Sequence, residues 1–180
     1  MDIEKKVWEV LCSKEDIQKR NIELGEQISK DYKDKNLYVV SLLRGSFVFA
    51  ADLVREVSVP LKIDFMTTSS YGHGEESTGN VKVVADIKED LTGYDVLVVD
   101  DITDSGITMK FVMEHLAKKN ANSVKSCVLL DKPSRRKVDI VADYIGFTIE
   151  DKFVVGYGLN FGDYYRNYPY VFCVTDEDRK

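Results

Sequence analysis

Residues Val96 to Thr108 read VLVVDDITDSGIT. Two adjacent carboxylates, Asp100 and Asp101, follow four apolar, mostly β-branched residues. A third, Asp104, comes within one turn, and Ser105, Gly106 and Thr108 complete the stretch. An apolar run of this kind predicts a buried parallel strand. The residues after it predict a strand-to-helix loop, where open α/β sheets place their ligands. Small hydroxyl residues around a glycine at a helix start make a phosphate cradle of backbone N–H and side-chain O–H groups. Acids just upstream suit a ribose diol or a hard cation. Together these residues predict a phosphorylated sugar bound with Mg²⁺.

Periodicity predicts the elements that must position this loop. Ser13 reads as an N-cap with Glu15 and Asp16 behind it. Ile17, Leu24, Ile28 and Tyr32 then share one side of a helix to about residue 33. LYVVSLL at residues 37 to 43 predicts a strand. Arg44, Gly45 and Ser46 turn the chain into a helix over 47 to 56, with Phe47, Ala50, Ala51 and Val54 as the expected inward stripe. Strands are expected at 61 to 67, 81 to 87 and 124 to 130, and a helix at 107 to 119 with Met109, Val112, Met113 and Leu116 inward. Between them SSYGHGEESTGN, residues 69 to 80, holds three glycines and no apolar periodicity. A structureless stretch of about 12 residues within a compact domain is usually functional, and it predicts a mobile lid. His73 within it reads as a solvated loop residue. Strands near 143 to 149, 153 to 157 and 170 to 174 predict a strand-rich hood. Alternating strands and helices predict an α/β fold with a mostly parallel, twisted, right-handed sheet flanked by helices.

Composition excludes several classes. The 180 residues are 44% hydrophobic, enough for one globular domain with a sizeable core. A net charge of −6 and a pI near 5.0 argue against a nucleic-acid binder. The only basic cluster is KPSRRK, residues 132 to 137, the one feature that would favour such a regulator. Cys12, Cys127 and Cys173 lie far apart with apolar neighbours, as expected of reduced thiols in a cytosolic protein. The charged N-terminus predicts no secretory signal, and no run approaches the roughly 18 apolar residues of a membrane span.

Several segments together resemble the purine phosphoribosyltransferases of the hypoxanthine (hypoxanthine-guanine) type. VLVVDDITDSGIT is similar to the family's phosphoribosyl-pyrophosphate motif and SLLRGS, residues 41 to 46, to its pyrophosphate loop. DKFVVGYGLNFGDYYRNYPYV, residues 151 to 171, resembles the purine-binding part, and SSYGHGEESTG the mobile active-site loop. The resemblance implies the type I phosphoribosyltransferase fold as a single domain over residues 1 to 180, with the lid at about 69 to 80. The hood would comprise N-terminal residues and about 143 to 175. It implies Mg²⁺-dependent transfer from 5-phosphoribosyl 1-pyrophosphate to N9 of hypoxanthine or guanine, giving IMP or GMP and pyrophosphate in a cytoplasmic homo-oligomer, a dimer or tetramer.

Residue roles come with the resemblance. Asp100 and Asp101 would hold the ribose hydroxyls and Mg²⁺, and Asp104 would be the general base for the purine N7 proton; its alternative is a helix N-cap. Thr103, Asp104, Ser105, Gly106 and Thr108 would hold the 5′-phosphate, though the last three also read as a capping cluster. Leu43, Arg44, Gly45, Ser70, Tyr71 and Arg166 would meet pyrophosphate. The Leu43–Arg44 peptide can be cis in the family. Arg166 alternatively reads as a surface arginine stacked on Tyr164 or Tyr165. Lys132 would donate to the purine 6-oxo group, Phe153 would stack on the ring, and the Val154 backbone would read its edge. Plain core or loop roles are the alternatives for these three. Asn160 departs from the family, which has aspartate there for a second metal ion; an amide oxygen still ligates Mg²⁺ but carries no charge.

Overall fold

The computed structural model describes residues 9–70 and 81–175. The expected lid residues 71 to 80, with Tyr71 and His73, and the chain before residue 9 lie outside the described residues. The elements are β1 (Glu9–Cys12), α1 (Lys14–Asp31), β2 (Leu37–Leu43), α2 (Phe47–Glu56), β3 (Leu61–Ser70), β4 (Val81–Ala85), β5 (Asp95–Thr103), α3 (Ile107–Ala117), β6 (Ser123–Asp131), β7 (Tyr144–Thr148), β8 (Val154–Val155) and β9 (Val171–Cys173).

A six-stranded sheet runs β4-β3-β2-β5-β6-β7. It is parallel except for β4, which pairs antiparallel with β3 at the edge. From β2 the chain moves outward to β3 and β4, then crosses back to set β5 on the other side of β2. The strand order therefore reverses between β2 and β5, and α/β sheets open a crevice at the carboxyl ends of strands there. A second sheet, β1-β9-β8, is antiparallel.

Strand alternation divides the core in two. Leu37, Val39, Leu97, Val99, Cys127 and Leu129 pack with α1 and α2. Tyr38, Val40, Val96, Val98 and Val128 face α3 through Met109, Val112 and Leu116. The helices begin where local chemistry ends the extended chain. Ser13 and Asp16 form a reciprocal capping box, with Asp16 N–H donating to Ser13 Oγ at 3.1 Å and Ser13 N–H to Asp16 Oδ2 at 3.3 Å. No described helix is long and apolar enough to cross a membrane.

Two expectations need correction. The inward residues of α2 are Phe49, Ala50 and Leu53, whereas Phe47 is 44% exposed, Ala51 is exposed and Val54 is only partly buried. The cause is Ser46. Its buried hydroxyl donates to Leu42 O at 2.5 Å and shares a 2.7 Å hydrogen bond with Ser41 Oγ. With position 46 fixed inward, the helical repeat brings 49, 50 and 53 to the same face. Secondly, β5 does not stop before the acids; Asp100, Ile102 and Thr103 stay in register with Val128, Leu130 and Asp131 of β6.

Gly25 marks the tightest approach of α1 to α2. A methyl group there would lie 2.5 Å from Glu56 Cβ and 2.6 Å from its carbonyl oxygen. Alanine is the better helix former by about 1 kcal/mol, but overpacking against backbone costs about 1–3 kcal/mol. Gly25→Ala is expected to lower the urea midpoint of unfolding; an unchanged or higher midpoint would show that the helices part freely.

Candidate active site

Because alternate residues of a strand face opposite ways, the adjacent acids meet different neighbours. Asp101, in phase with Leu97 and Val99, faces the β2–α2 turn so closely that a methyl group at Gly45 would fall 1.7 Å from its Oδ2. Only glycine admits the carboxylate at that point. Asp100, in phase with Val96 and Val98, lines a small cavity of about 130 Å³ with Thr103, Ser105, Gly106 and Thr108. Local amides partly satisfy both: Asp101 N–H donates to Asp100 Oδ1 at 3.0 Å and Ile102 N–H to Asp101 Oδ1 at 2.9 Å.

No lysine or arginine forms an ion pair with either acid among the described residues. Burial, and then the Asp101 charge, push the Asp100 carboxyl well above the usual carboxylate range. Burial raises Asp101 too, against the opposing pull of its hydrogen bonds and the Arg166 charge. A hard divalent cation with oxygen ligands relieves this repulsion, so the donor set fits Mg²⁺.

The loop beyond β5 is held from the β6 side. Gly106, with φ +80°, is the N-cap of α3, so Asp104 is not the cap. A methyl group at Gly106 would come within 2.6 Å of Ile140 and 2.9 Å of the Arg136 side chain. Packing by residues 136 to 140 thus adds to the conformational need for glycine there. Lys132 N–H donates to Thr103 O at 3.0 Å and Lys137 N–H to Ser105 O at 2.9 Å. Arg136 donates to Asp104 O at 2.7 Å and also pairs with the buried Asp131. Thr103 Oγ1 is buried and has no hydrogen-bond partner among the described residues.

A larger cavity of about 660 Å³ opens beside this loop, lined by Asp104, Lys132, Arg135, Asp151, Phe153 and Val174 among others. Lys132 is almost buried; its ammonium donates to Lys152 O at 2.6 Å and lies 3.8 Å from Asp151. Arg135 bridges two acids, with Nε at 3.1 Å from Asp104 Oδ1 and Nη1 at 3.3 Å from Asp151 Oδ2. Phe153 meets Phe161 edge to face at 5.8 Å, and Val154 is buried in β8.

On the pyrophosphate-loop side the Leu43–Arg44 peptide is cis. Arg166 is not stacked as a surface residue but donates to Gly158 O at 2.6 Å. Asn160 turns its amide nitrogen to Gly162 O. Ser69 and Ser70, expected in the lid, instead end β3 and pair with β4, because the extended chain continues in the edge ladder.

The structure therefore brings the 43–46 turn, the 100–108 segment, Lys132 and the 153–166 stretch to one side of the sheet. Sequence reasoning missed Arg135 and Arg136, which it read only as a basic cluster, and Asp131 and Asp151. For Asp131, Arg135 and Arg136 the only signal was the charge cluster DKPSRRK, which does not say what it faces; Asp151 carried none.

A family model described as "Phosphoribosyl transferase domain" matches residues 8–162. The chain belongs to the phosphoribosyltransferase family, and it is a transferase of the hypoxanthine (hypoxanthine-guanine) type. It is 51% identical over 165 residues to the hypoxanthine phosphoribosyltransferase of Salmonella typhimurium, covering 91% of this chain and 93% of that one. It is 46% identical over 176 residues to the hypoxanthine-guanine phosphoribosyltransferase of Aquifex aeolicus, covering 97% and 99%. The crystal structure of a Staphylococcus aureus hypoxanthine phosphoribosyltransferase superposes with a TM-score of 0.90 at 46% identity, covering 94% of this chain and 92% of that one. The expected type I fold is borne out.

The raised Asp100 carboxyl carries a pH signature. The native state holds a proton that the unfolded chain, with a pKa near 3.9, has already released, so stability falls as pH rises between the two values. An uncharged amide at this position has no such loss. Asp100→Asn is therefore expected to stabilise the ligand-free protein at pH 7 by about 1 kcal/mol, or about 2–4 °C in Tm, the advantage shrinking towards pH 4. Thermal unfolding of both forms across that range checks it; a less stable variant at pH 7 would contradict the repulsion.

Proposed function

We propose that the enzyme transfers the 5-phosphoribosyl group of 5-phosphoribosyl 1-pyrophosphate to N9 of hypoxanthine or guanine, giving IMP or GMP and pyrophosphate. The observation that carries this reading is the uncompensated Asp100–Asp101 pair between a phosphate-sized cavity and the Gly45 turn. In this reading Thr103, Ser105, Gly106 and Thr108 take the 5′-phosphate; the unpartnered Thr103 hydroxyl and the amides at the α3 start are available donors. Asp100 and Asp101 take the ribose hydroxyls and hold Mg²⁺, and Asn160 is a weaker ligand for a second Mg²⁺. When bound, Mg²⁺ supplies positive charge to the departing pyrophosphate. Leu43, Arg44, Gly45, Ser70, Tyr71 and Arg166 surround that pyrophosphate.

The purine occupies the 660 Å³ cavity. Lys132, already committed to donating, meets an oxygen at purine C6 and disfavours the amino group of adenine. Phe153 stacks on the ring and the Val154 backbone reads its edge. Asp104 takes the N7 proton while N9 attacks C1 of the sugar. Arg135 occupies Oδ1 and leaves Oδ2 for that proton. A lid, expected at about residues 69 to 80 and outside the described residues from 71 on, would keep water from a ribosyl-cation-like transition state. The chain acts as one domain and assembles with copies of itself as a dimer or tetramer. Its three buried free cysteines accord with a reducing cytoplasm.

Asp104→Asn is expected to reduce kcat about 10²–10⁴-fold while leaving the Kd for the sugar diphosphate within about threefold. Pyrophosphate release with a panel of bases provides the assay; near-normal turnover would remove Asp104 from its role, and preferred use of adenine would overturn the pocket assignment. Asn160→Asp is expected to lower the Mg²⁺ concentration for half-maximal rate about tenfold, because it restores a charge to a ligand position. An unchanged requirement would take position 160 out of the metal site.

A further inference from the structure

Behind the Gly45 turn lies a buried hydrogen-bond relay that the proposed reaction does not use. Tyr157 is 4% exposed and Asn21 3% exposed. The Tyr157 hydroxyl accepts from Asn21 Nδ2 at 2.9 Å and donates to Asp52 Oδ2 at 2.6 Å. Asn21 belongs to α1, Asp52 to α2, and Tyr157 to the link between β8 and β9, so one hydroxyl ties three separate elements.

The backbone that carries Tyr157 is unusual. Gly156, Tyr157 and Gly158 all have positive φ, at 95°, 51° and 102°. A run of left-handed residues that includes a tyrosine persists only when its surroundings hold it. Backbone bonds fix one side: Tyr157 N–H donates to Tyr168 O at 2.9 Å and Gly158 N–H to Arg166 O at 3.0 Å. The hydroxyl relay fixes the other.

This bend sets the position of Gly158, and Gly158 sets two further groups. A methyl group at Gly158 would lie 2.0 Å from Gly45 O, so its backbone rests directly on the 43–46 turn. Gly158 O in turn receives Arg166 Nη1 at 2.6 Å. The Gly45 turn bears on Asp101, and the Arg166 charge acts on the same carboxylate. The chain of contact runs from α1 and α2 through Tyr157 and Gly158 to Gly45, Arg166 and Asp101. It does not include Asp104, Lys132 or Phe153, which line the purine cavity.

We infer that Tyr157 is a positioning residue for the pyrophosphate half of the site: its hydroxyl, clamped between Asn21 and Asp52, holds Gly158 on the Gly45 turn and Arg166 beside Asp101. This rests on the assignment of Arg44, Gly45 and Arg166 to pyrophosphate. Tyr157 touches no reacting atom, and its effect is on the sugar diphosphate rather than on the base.

The test is steady-state kinetics of Tyr157→Phe, which keeps the ring and removes the hydroxyl, with 5-phosphoribosyl 1-pyrophosphate and hypoxanthine varied separately. The KM for the sugar diphosphate is expected to rise about tenfold, and that for hypoxanthine less than twofold. Two variants on α2 guard against a folding defect. Asp52→Ala is expected to reproduce the split, whereas Asp52→Asn, which still accepts from the hydroxyl, restores the sugar-diphosphate KM to within twofold of the parent. Unchanged sugar-diphosphate KM in Tyr157→Phe and Asp52→Ala, with the parent active, would overturn the inference. So would a joint rise in both KM values, the mark of a general structural role. An inactive parent would instead overturn the proposed reaction on which the inference rests.

Discussion

Two carboxylates sit side by side at the end of a buried central strand of the sheet, and the rest of the site is arranged around the repulsion between them. Strand β5 is buried over Val96 to Val99 and continues straight into Asp100 and Asp101. Pairing with β6 continues past Asp100, and the two carboxyls stay within hydrogen-bond reach of each other. One faces the β2–α2 turn and the other the start of α3, the two loops that border the strand-order reversal. Their negative potential is raised by burial and left unneutralised by any described ion pair. A site of that kind is unstable when empty and binds cations and diols for the same reason.

Its neighbours manage charge differently. Around the cavity proposed for the purine, Asp104, Arg135, Asp151 and Lys132 alternate in sign and link one to the next. Arg136 is committed to Asp131 and to the Asp104 carbonyl, so it braces the loop from β6. One half of the crevice is thus electrostatically closed and geometrically set, whereas the other half holds unmet charge. That contrast matches the two chemical tasks proposed for them: orienting a neutral aromatic base, and accepting a polyanion with its counter-ion.

What could be read from the chain depends on the range of the forces involved. Strand β2 and the capped start of α1 are local in origin, and Ser13 with the LYVVSLL run marks them. The motif at 100 to 108 stands out in the chain because its acids, hydroxyls and glycine lie at short spacing on one strand-to-helix connection. The burial of α2 was misjudged because hydrophobicity alone put Phe47 inward, whereas the Ser46 hydroxyl sets the helix phase. The end of the apolar run at Val99 predicts the acids in a loop, yet pairing with β6 carries the strand on through them. The Arg135 bridge and the Tyr157 relay were invisible for another reason. Arg135 reaches Asp104 across 31 positions, and Tyr157 reaches Asp52 across 105; only the assembled fold brings them together.

The central claim is that the acid pair of β5, with a divalent cation, grips an activated pentose phosphate. Titration calorimetry of 5-phosphoribosyl 1-pyrophosphate into the protein, once with saturating Mg²⁺ and once with a chelator, addresses it directly. The account predicts saturable binding with Mg²⁺ that weakens at least tenfold in the chelator and is lost when Asp100 and Asp101 are both changed to Asn. Equal affinity in all three titrations, or no binding in any, would contradict it.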